Sequence, residues 1–258
     1  MIGIIYFLVI ILANSVGAVS GMGGGVIIKP VMDFFHFHDV ASISFYSSFA
    51  VLVMAMVSTY RQIKYGFEMK WLKMIALAVG AVLGGYLGNF GFYFMKSFYH
   101  SDSIVNSIQI VLTIITLVAA FLYSYQSKHF AFHSLLSFTI CGLILGSLAS
   151  FLGIGGGPIN VSLLILMFGM PLKEATIYSI CTILFSQLTK VITVGVSTHF
   201  IGIDLKMLMY IIPAAVLGGI IGAFLSKQLK TAQIRKVYQV VILLVVLINV
   251  YNGVQLLY

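Results

Sequence analysis

Eight long apolar runs, near residues 3–20, 41–60, 74–95, 104–125, 134–152, 175–194, 207–226 and 237–257, constrain this chain before any motif does. Each lasts roughly 18 to 25 residues, the length at which an α-helix crosses the hydrocarbon core of a bilayer. Lipid offers no partner to a backbone N–H or C=O, so runs of this kind must form helices. The strict apolar–polar alternation of a membrane β-strand is absent from them. Composition agrees, with 61% of the 258 residues hydrophobic and 8% charged, against roughly 25% charged in soluble domains. The expected fold is an all-α polytopic membrane protein.

Two further apolar segments, 26–37 and 158–170, are too short to span, and each directly follows a glycine block. The blocks are Gly21-Met22-Gly23-Gly24-Gly25 and, 132 residues later, Gly153-Ile154-Gly155-Gly156-Gly157. Asn14, Ser15 and Ser20 precede the first; Ser147, Ser150 and Asn160 surround the second. The same offset overlays Tyr46-Ser47 on Tyr178-Ser179. Val82-Leu83-Gly84-Gly85 and Gly88 match Val216-Leu217-Gly218-Gly219 and Gly222 at an offset of 134, and Gln109 matches Gln239 at 130. The chain therefore divides into an N-terminal membrane repeat, 1–127, and a C-terminal one, 128–258, together forming one transport domain. Internal repeats with interrupted helices are the mark of secondary transporters.

Loop charge decides how the repeats are related. Arg61, Lys64, Lys70 and Lys73 stand against Glu68 in one loop, and Lys227, Lys230, Arg235 and Lys236 fill another without an acid. Eight simple crossings would put these loops on opposite sides, against the positive-inside rule. If each glycine block instead turns a hairpin, the repeats become inverted, each with a re-entrant or half-helix followed by further transmembrane helices. Both basic loops and Lys128 then fall inside, and Asp33, Asp39, Asp102 and Asp204 outside. Orientation thus accounts for the net charge of +8, and nucleic acid is not an expected partner. No Lys or Arg precedes Lys29 and no A-x-A pattern follows, so residues 3–20 are expected to belong to the mature protein.

Glycine costs a helix interior about 1 kcal/mol, so three in succession mark a place where the helix stops. Without a Cβ the backbone can turn and a ligand can approach it. The segments that restart, at Val26 and Pro158, present N-terminal N–H groups and a partial positive charge, which bind anions. The expected site is Gly23, Gly24 and Gly25 with Gly155, Gly156 and Gly157, joined by Asn160, and it favours a small oxyanion. By contrast, Gly80, Gly84, Gly88, Gly218 and Gly222 have the four-residue spacing of close helix packing.

Polar residues within apolar runs complete the candidate set. Lys190, with Gln187 on its helical face, could attract the anion, or could snorkel from a helix end. Ser47 and Ser179 could donate to an oxyanion or bond back to their own helices. Asn160 and Ser162 sit just after the second elbow, and Lys29 reads as an interfacial anchor. His36, His38 and Asp39 fall in a solvated loop rather than a metal cluster, and Cys141 and Cys181 are small buried hydrophobes. No metal, cofactor or catalytic residue is expected. The histidines fall in or near loops, and neither G-x-S-x-G nor HExxH occurs.

The paired G-x-G-G-G elbows, the repeat and the chain length together resemble the TauE/SafE sulfite exporter family, also called the toluene-sulfonate uptake permease family. The specific part lies in Gly21–Pro30 and Gly153–Ser162, and the second block departs by placing its proline earlier, at Pro158. The resemblance implies a multi-pass transporter of the cytoplasmic membrane, moving a sulfur-containing oxyanion, an organosulfonate or a small organic acid. It allows protons as the coupling ion and leaves a homodimer open. An anion channel built on the same elbows, or a carboxylate permease, is the alternative.

Overall fold

The computed structural model describes residues 2–123 and 129–255; Lys128 and the repeat boundary at 127/128 lie outside them. Each half begins with a long helix, breaks at its glycines, and continues through a short helix into three longer ones. In the first half these are α1 (Ile2–Ser20), α2 (Gly25–Phe35), α3 (Val40–Lys64), α4 (Trp71–Tyr99) and α5 (Asp102–Tyr123). The second half repeats the order with α6 (Leu135–Leu152), α7 (Pro158–Phe168), α8 (Leu172–Thr198), α9 (Leu208–Gln228) and α10 (Thr231–Gln255), with a single 3-10 turn at Leu205–Met207 before α9. Eight of these helices are long and apolar enough to cross a membrane; α2 and α7, at 11 residues each, are not. The protein is an all-helical, multi-pass membrane protein.

Several helices overrun their apolar runs. The helix expected over 74–95 occupies Trp71–Tyr99, and that over 175–194 occupies Leu172–Thr198. Apolarity marks only the stretch that meets hydrocarbon, whereas hydrogen bonding carries the helix on into the headgroup region. The ends are set by local chemistry. Asp39 caps α3 by accepting from the Ala41 and Ser42 N–H groups, and Ser134 caps α6 through Leu136 N–H. His36, His100 and His199 close α2, α4 and α8 in the left-handed conformation.

The helices pack so that exchanging the two halves preserves the most extensive contacts. α4 lies along α6 as α9 lies along α1, and α4 meets α8 as α9 meets α3. α3 pairs with α8 and α5 with α10. A Cβ on Gly80, Gly84 or Gly88 would strike the backbone of Thr139, Leu143 or Ser147 in α6, and one on Gly218 or Gly222 would strike Asn14 or Ser15 and Ala18 in α1. These glycines let two helix backbones touch, as their spacing predicts.

Each broken helix doubles back. Tyr6 near the start of α1 hydrogen-bonds His38 beyond α2 at 2.9 Å, so α2 returns to the end where α1 began. In the second half, Phe130 and Phe132 ahead of α6 donate to Leu166 and Met167 at the end of α7, both at 2.8 Å. Between α3 and α8, Ser44 meets Lys190 while Thr59 meets Cys181. As one chain index rises the other falls, and these corresponding helices run antiparallel.

The ends of the bundle differ in charge. Asp39, Lys96, Asp102, Asp204 and Lys206 gather at the end holding the starts of α1 and α3, where Lys96 lies 3.1 Å from Asp102 and 3.6 Å from Asp39. The opposite end holds Arg61, Lys64, Lys70, Lys73, Lys173, Lys227, Lys230, Arg235 and Lys236 against Glu68 and Glu174. There the Lys227 ammonium lies 4.5 Å from the Tyr65 ring centroid and Lys173 donates to the Lys227 carbonyl. Asp33, expected outside, is instead buried in α2.

Candidate functional site

The two elbows meet. Gly23 packs against the carbonyl of Gly155, and Gly25 against that of Ile154, so closely that a Cβ at either would collide with it. Val51 of α3 and Ile183 of α8, each near the middle of its helix, press on both turns. The tips therefore lie at mid-depth of the helices that surround them.

The turns share a mechanism at their start and diverge afterwards. Gly21 and Gly153 have φ of +73° and +67°, and Gly23 and Gly155 have +76° and +64°, conformations that L side chains seldom adopt. Gly24 is then right-handed helical at φ −70°, whereas Gly156 stays left-handed at +113° and Gly157 is extended. As a result α2 starts at Gly25, one residue ahead of the expected Val26, and α7 starts at Pro158. Proline suits that first position, whose N–H would have no helical partner. Neither Gly24 nor Gly157 caps its helix with a side chain, in contrast to Asp39 and Ser134. The amides of these first turns thus face the elbow region without a side-chain acceptor.

Unpartnered polar atoms gather around the same point. Asn160, in the first turn of α7 and 1% exposed, has no hydrogen-bond partner for either its Oδ1 or its Nδ2. Its Nδ2 lies 3.3 Å from where a Cβ on Gly156 would stand. Ser47 Oγ, equally without a partner, lies against Gly25. Ser150 Oγ and Gln187 Oε1 are buried and unpaired as well. Buried polar atoms are nearly always hydrogen-bonded, so Asn160, Ser47, Ser150 and Gln187 each keep hydrogen-bonding capacity that no described protein group uses.

Lys190 is fully inside, at 2% exposure, which rules out snorkelling. Its ammonium donates to Ser44 Oγ at 2.7 Å and to the Ser150 carbonyl at 2.9 Å, and stands 5.8 Å from the Phe92 ring centroid. Among the described residues no carboxylate pairs with it. Ser44 in turn lies against Gly153, so Lys190 reaches the start of the second elbow through a hydroxyl. Ser44 was not singled out from the sequence, yet it stands at the 132-residue offset from Thr176, which packs on Gly21 in the same way.

The remaining candidates divide. Ser179 donates across to the Gly21 carbonyl at 2.5 Å and so helps hold the first elbow's turn. Gln187 lies one turn before Lys190, its amide donating to Ser186 Oγ at 3.3 Å. Ser162 belongs to a different cluster, with its hydroxyl 2.7 Å from that of Tyr238. Lys29 is no interfacial anchor: at 3% exposure it pairs with Asp33 at 2.7 Å and donates to Asn106 at 3.2 Å. Four-residue spacing on one helix brings the two charges together, and burial leaves each dependent on the other.

With this geometry in place, comparison with known proteins gives a consistent result. The family model for the sulfite exporter TauE/SafE matches residues 6–248. A probable membrane transporter protein of Bacillus subtilis, YunE, is 23% identical over 280 aligned positions covering 95% of this chain and 96% of its own. A second probable membrane transporter protein, MJ0441 of Methanocaldococcus jannaschii, is 27% identical over 179 positions, 66% of this chain and 63% of its own. No solved structure matches the chain.

Proposed function

This chain belongs to the sulfite exporter TauE/SafE family, and from that premise we propose that it is a secondary transporter of a small anion, held between the two glycine elbows. The observation that carries the reading is the meeting of two uncapped half-helix N-termini beside a buried lysine with no acidic partner among the described residues. Two such termini and an ammonium make the centre electropositive in a medium of low dielectric, which favours an oxyanion. The unpaired amide of Asn160 and hydroxyl of Ser47 supply further donors. A family of sulfite exporters favours sulfite-like sulfur oxyanions as the substrate class, with organosulfonates and small carboxylates next.

Alternating access follows from the arrangement we infer, an inverted pair of repeats across the bilayer. The antiparallel course of α3 and α8 supports it, as do two hairpins that each close on their own starting end. The basic end is placed at the cytoplasm by the positive-inside rule.

Thermal unfolding of the purified protein with sulfite, thiosulfate, sulfate, sulfoacetate and acetate tests this reading. A ligand at about 100 times its Kd adds roughly 2.7 kcal/mol, and at least one sulfur oxyanion is expected to do so. Asn160→Ala is the informative variant. It discards no intramolecular hydrogen bond, so the unliganded protein should keep its stability, while the anion-dependent stabilisation disappears. Full stabilisation of that variant would overturn the site; a response to acetate alone would replace sulfur anions by carboxylates.

A further inference from the structure

A cavity of about 230 Å³ opens at the basic end between α5, α7 and α10. Its α7 wall is formed by Val161, Ser162, Ile165 and Gly169, which lie on one face of that helix. At 1.5 Å per residue the wall runs about 12 Å, from the C-cap of α7 to the turn beside the second elbow. Arg235 and Tyr238, one turn apart on α10, form the facing wall.

The two ends of this cavity have different chemistry. At the mouth stands Arg235, exposed, with no carboxylate pairing with it among the described residues, and His129 packs over Gly169 nearby. At the inner end the phenol of Tyr238, 2% exposed, donates to the carbonyl of Pro158 at 2.6 Å. Ser162 contacts the same phenol at 2.7 Å and reaches the Ala120 carbonyl at 3.2 Å. Tyr238 thus ties α10 to the first residue of α7, whose amides face the elbow site.

We propose that this cavity is an inner vestibule for small organic or inorganic anions, in which Arg235 draws the anion in from the basic side and Tyr238, bonded to Ser162 and Pro158, closes the passage to the elbows. It rests on the transporter reading above, for which it supplies the route on one side. The unpaired guanidinium, the surrounding excess of Lys and Arg, and the low-dielectric walls together concentrate negative charge at the mouth. The occupant is small, because a cavity of about 230 Å³ holds about seven or eight water volumes of roughly 30 Å³ each.

Thiol labelling tests the vestibule without any transport measurement, so its failure is separable from failure of the elbow site. Ile165→Cys places one reactive thiol halfway along the α7 wall; the native Cys141 and Cys181 are 0% and 2% exposed, and the unsubstituted protein is the control. In inside-out vesicles the anionic reagent sulfonatoethyl methanethiosulfonate is expected to react about tenfold faster than the cationic trimethylammonioethyl reagent of similar size. Adding Arg235→Gln should bring the two rates together. In intact cells neither reagent should reach the thiol. No labelling from the basic side, labelling only from the opposite side, equal rates for the two reagents, or a preference that survives Arg235→Gln would each overturn the proposal.

Discussion

At the scale of single residues, the two repeat-related serines differ in what their hydroxyls hold. Ser179 Oγ satisfies the Gly21 carbonyl, whereas the equivalent Ser47 Oγ is buried against Gly25 with no partner. Ser179→Ala therefore leaves a buried acceptor unmet and should cost about 1 to 3 kcal/mol in an unfolding titration. Ser47→Ala removes nothing the folded protein uses and should change stability by less than about 0.5 kcal/mol, with any loss confined to anion binding. Equal costs for the two would erase the distinction. The sequence showed both serines because the 132-residue offset pairs them, and it showed Asn160 because that residue follows Pro158 in the first turn after a glycine break. What it could not show is a partner fixed by how two helices cross. Ser44 looked like one hydroxyl among several in α3 until α8 brought Lys190 to within 2.7 Å of it. Lys29 and Asp33 carried a readable four-residue spacing, but their burial depends on α5 supplying Asn106.

At the scale of elements, the glycines of this chain do two separate jobs, and periodicity distinguished them correctly. Triplets that open short helices mark the elbows, and four-residue spacing marks the contacts α4–α6 and α1–α9. Without a hydrophobic drive between helices in lipid, such contacts rest on close backbone approach. A Cβ on Gly84 would strike the Leu143 carbonyl and come within 2.8 Å of the Ser147 nitrogen, both backbone atoms that cannot swing away. Gly84→Val should therefore destabilise the protein by about 1 to 3 kcal/mol or prevent assembly, as overpacking does. Gly91→Ala is the matched control, since its nearest neighbour is the Phe151 ring at 3.4 Å, an ordinary contact. Unfolding in mixed detergent distinguishes the two, and a tolerated Gly84→Val would mean that α4 and α6 can separate. The difference between the elbows after their second glycine was legible only as a displaced proline; the opposed φ values of Gly24 and Gly156, which set where each short helix begins, were not.

For the whole molecule, the relation between the repeats makes a prediction about sides that no single helix could make. The loop between α3 and α4, which carries Glu68, corresponds in the second half to the loop carrying Ile201. The loop between α4 and α5, with Ser101, corresponds to the one with Lys230. Parallel repeats, related by an axis along the membrane normal, would put each corresponding pair on one side. Inverted repeats put its members on opposite sides. The contacts of α3 with α8 run antiparallel, and the basic residues collect at the end that holds Glu68 and Lys230, so the expected pattern is specific. In intact cells a membrane-impermeant maleimide should label Ser101→Cys and Ile201→Cys, and in inside-out vesicles Glu68→Cys and Lys230→Cys. Ile201 is 82% exposed, and all four positions lie in connections between helices, so the substitutions should leave packing intact. Labelling of Glu68→Cys and Ile201→Cys from the same side would make the repeats parallel. The elbows would then enter the membrane together instead of meeting from opposite faces, and a single anion could not be exposed first to one side and then to the other by exchanging the roles of the two hairpins.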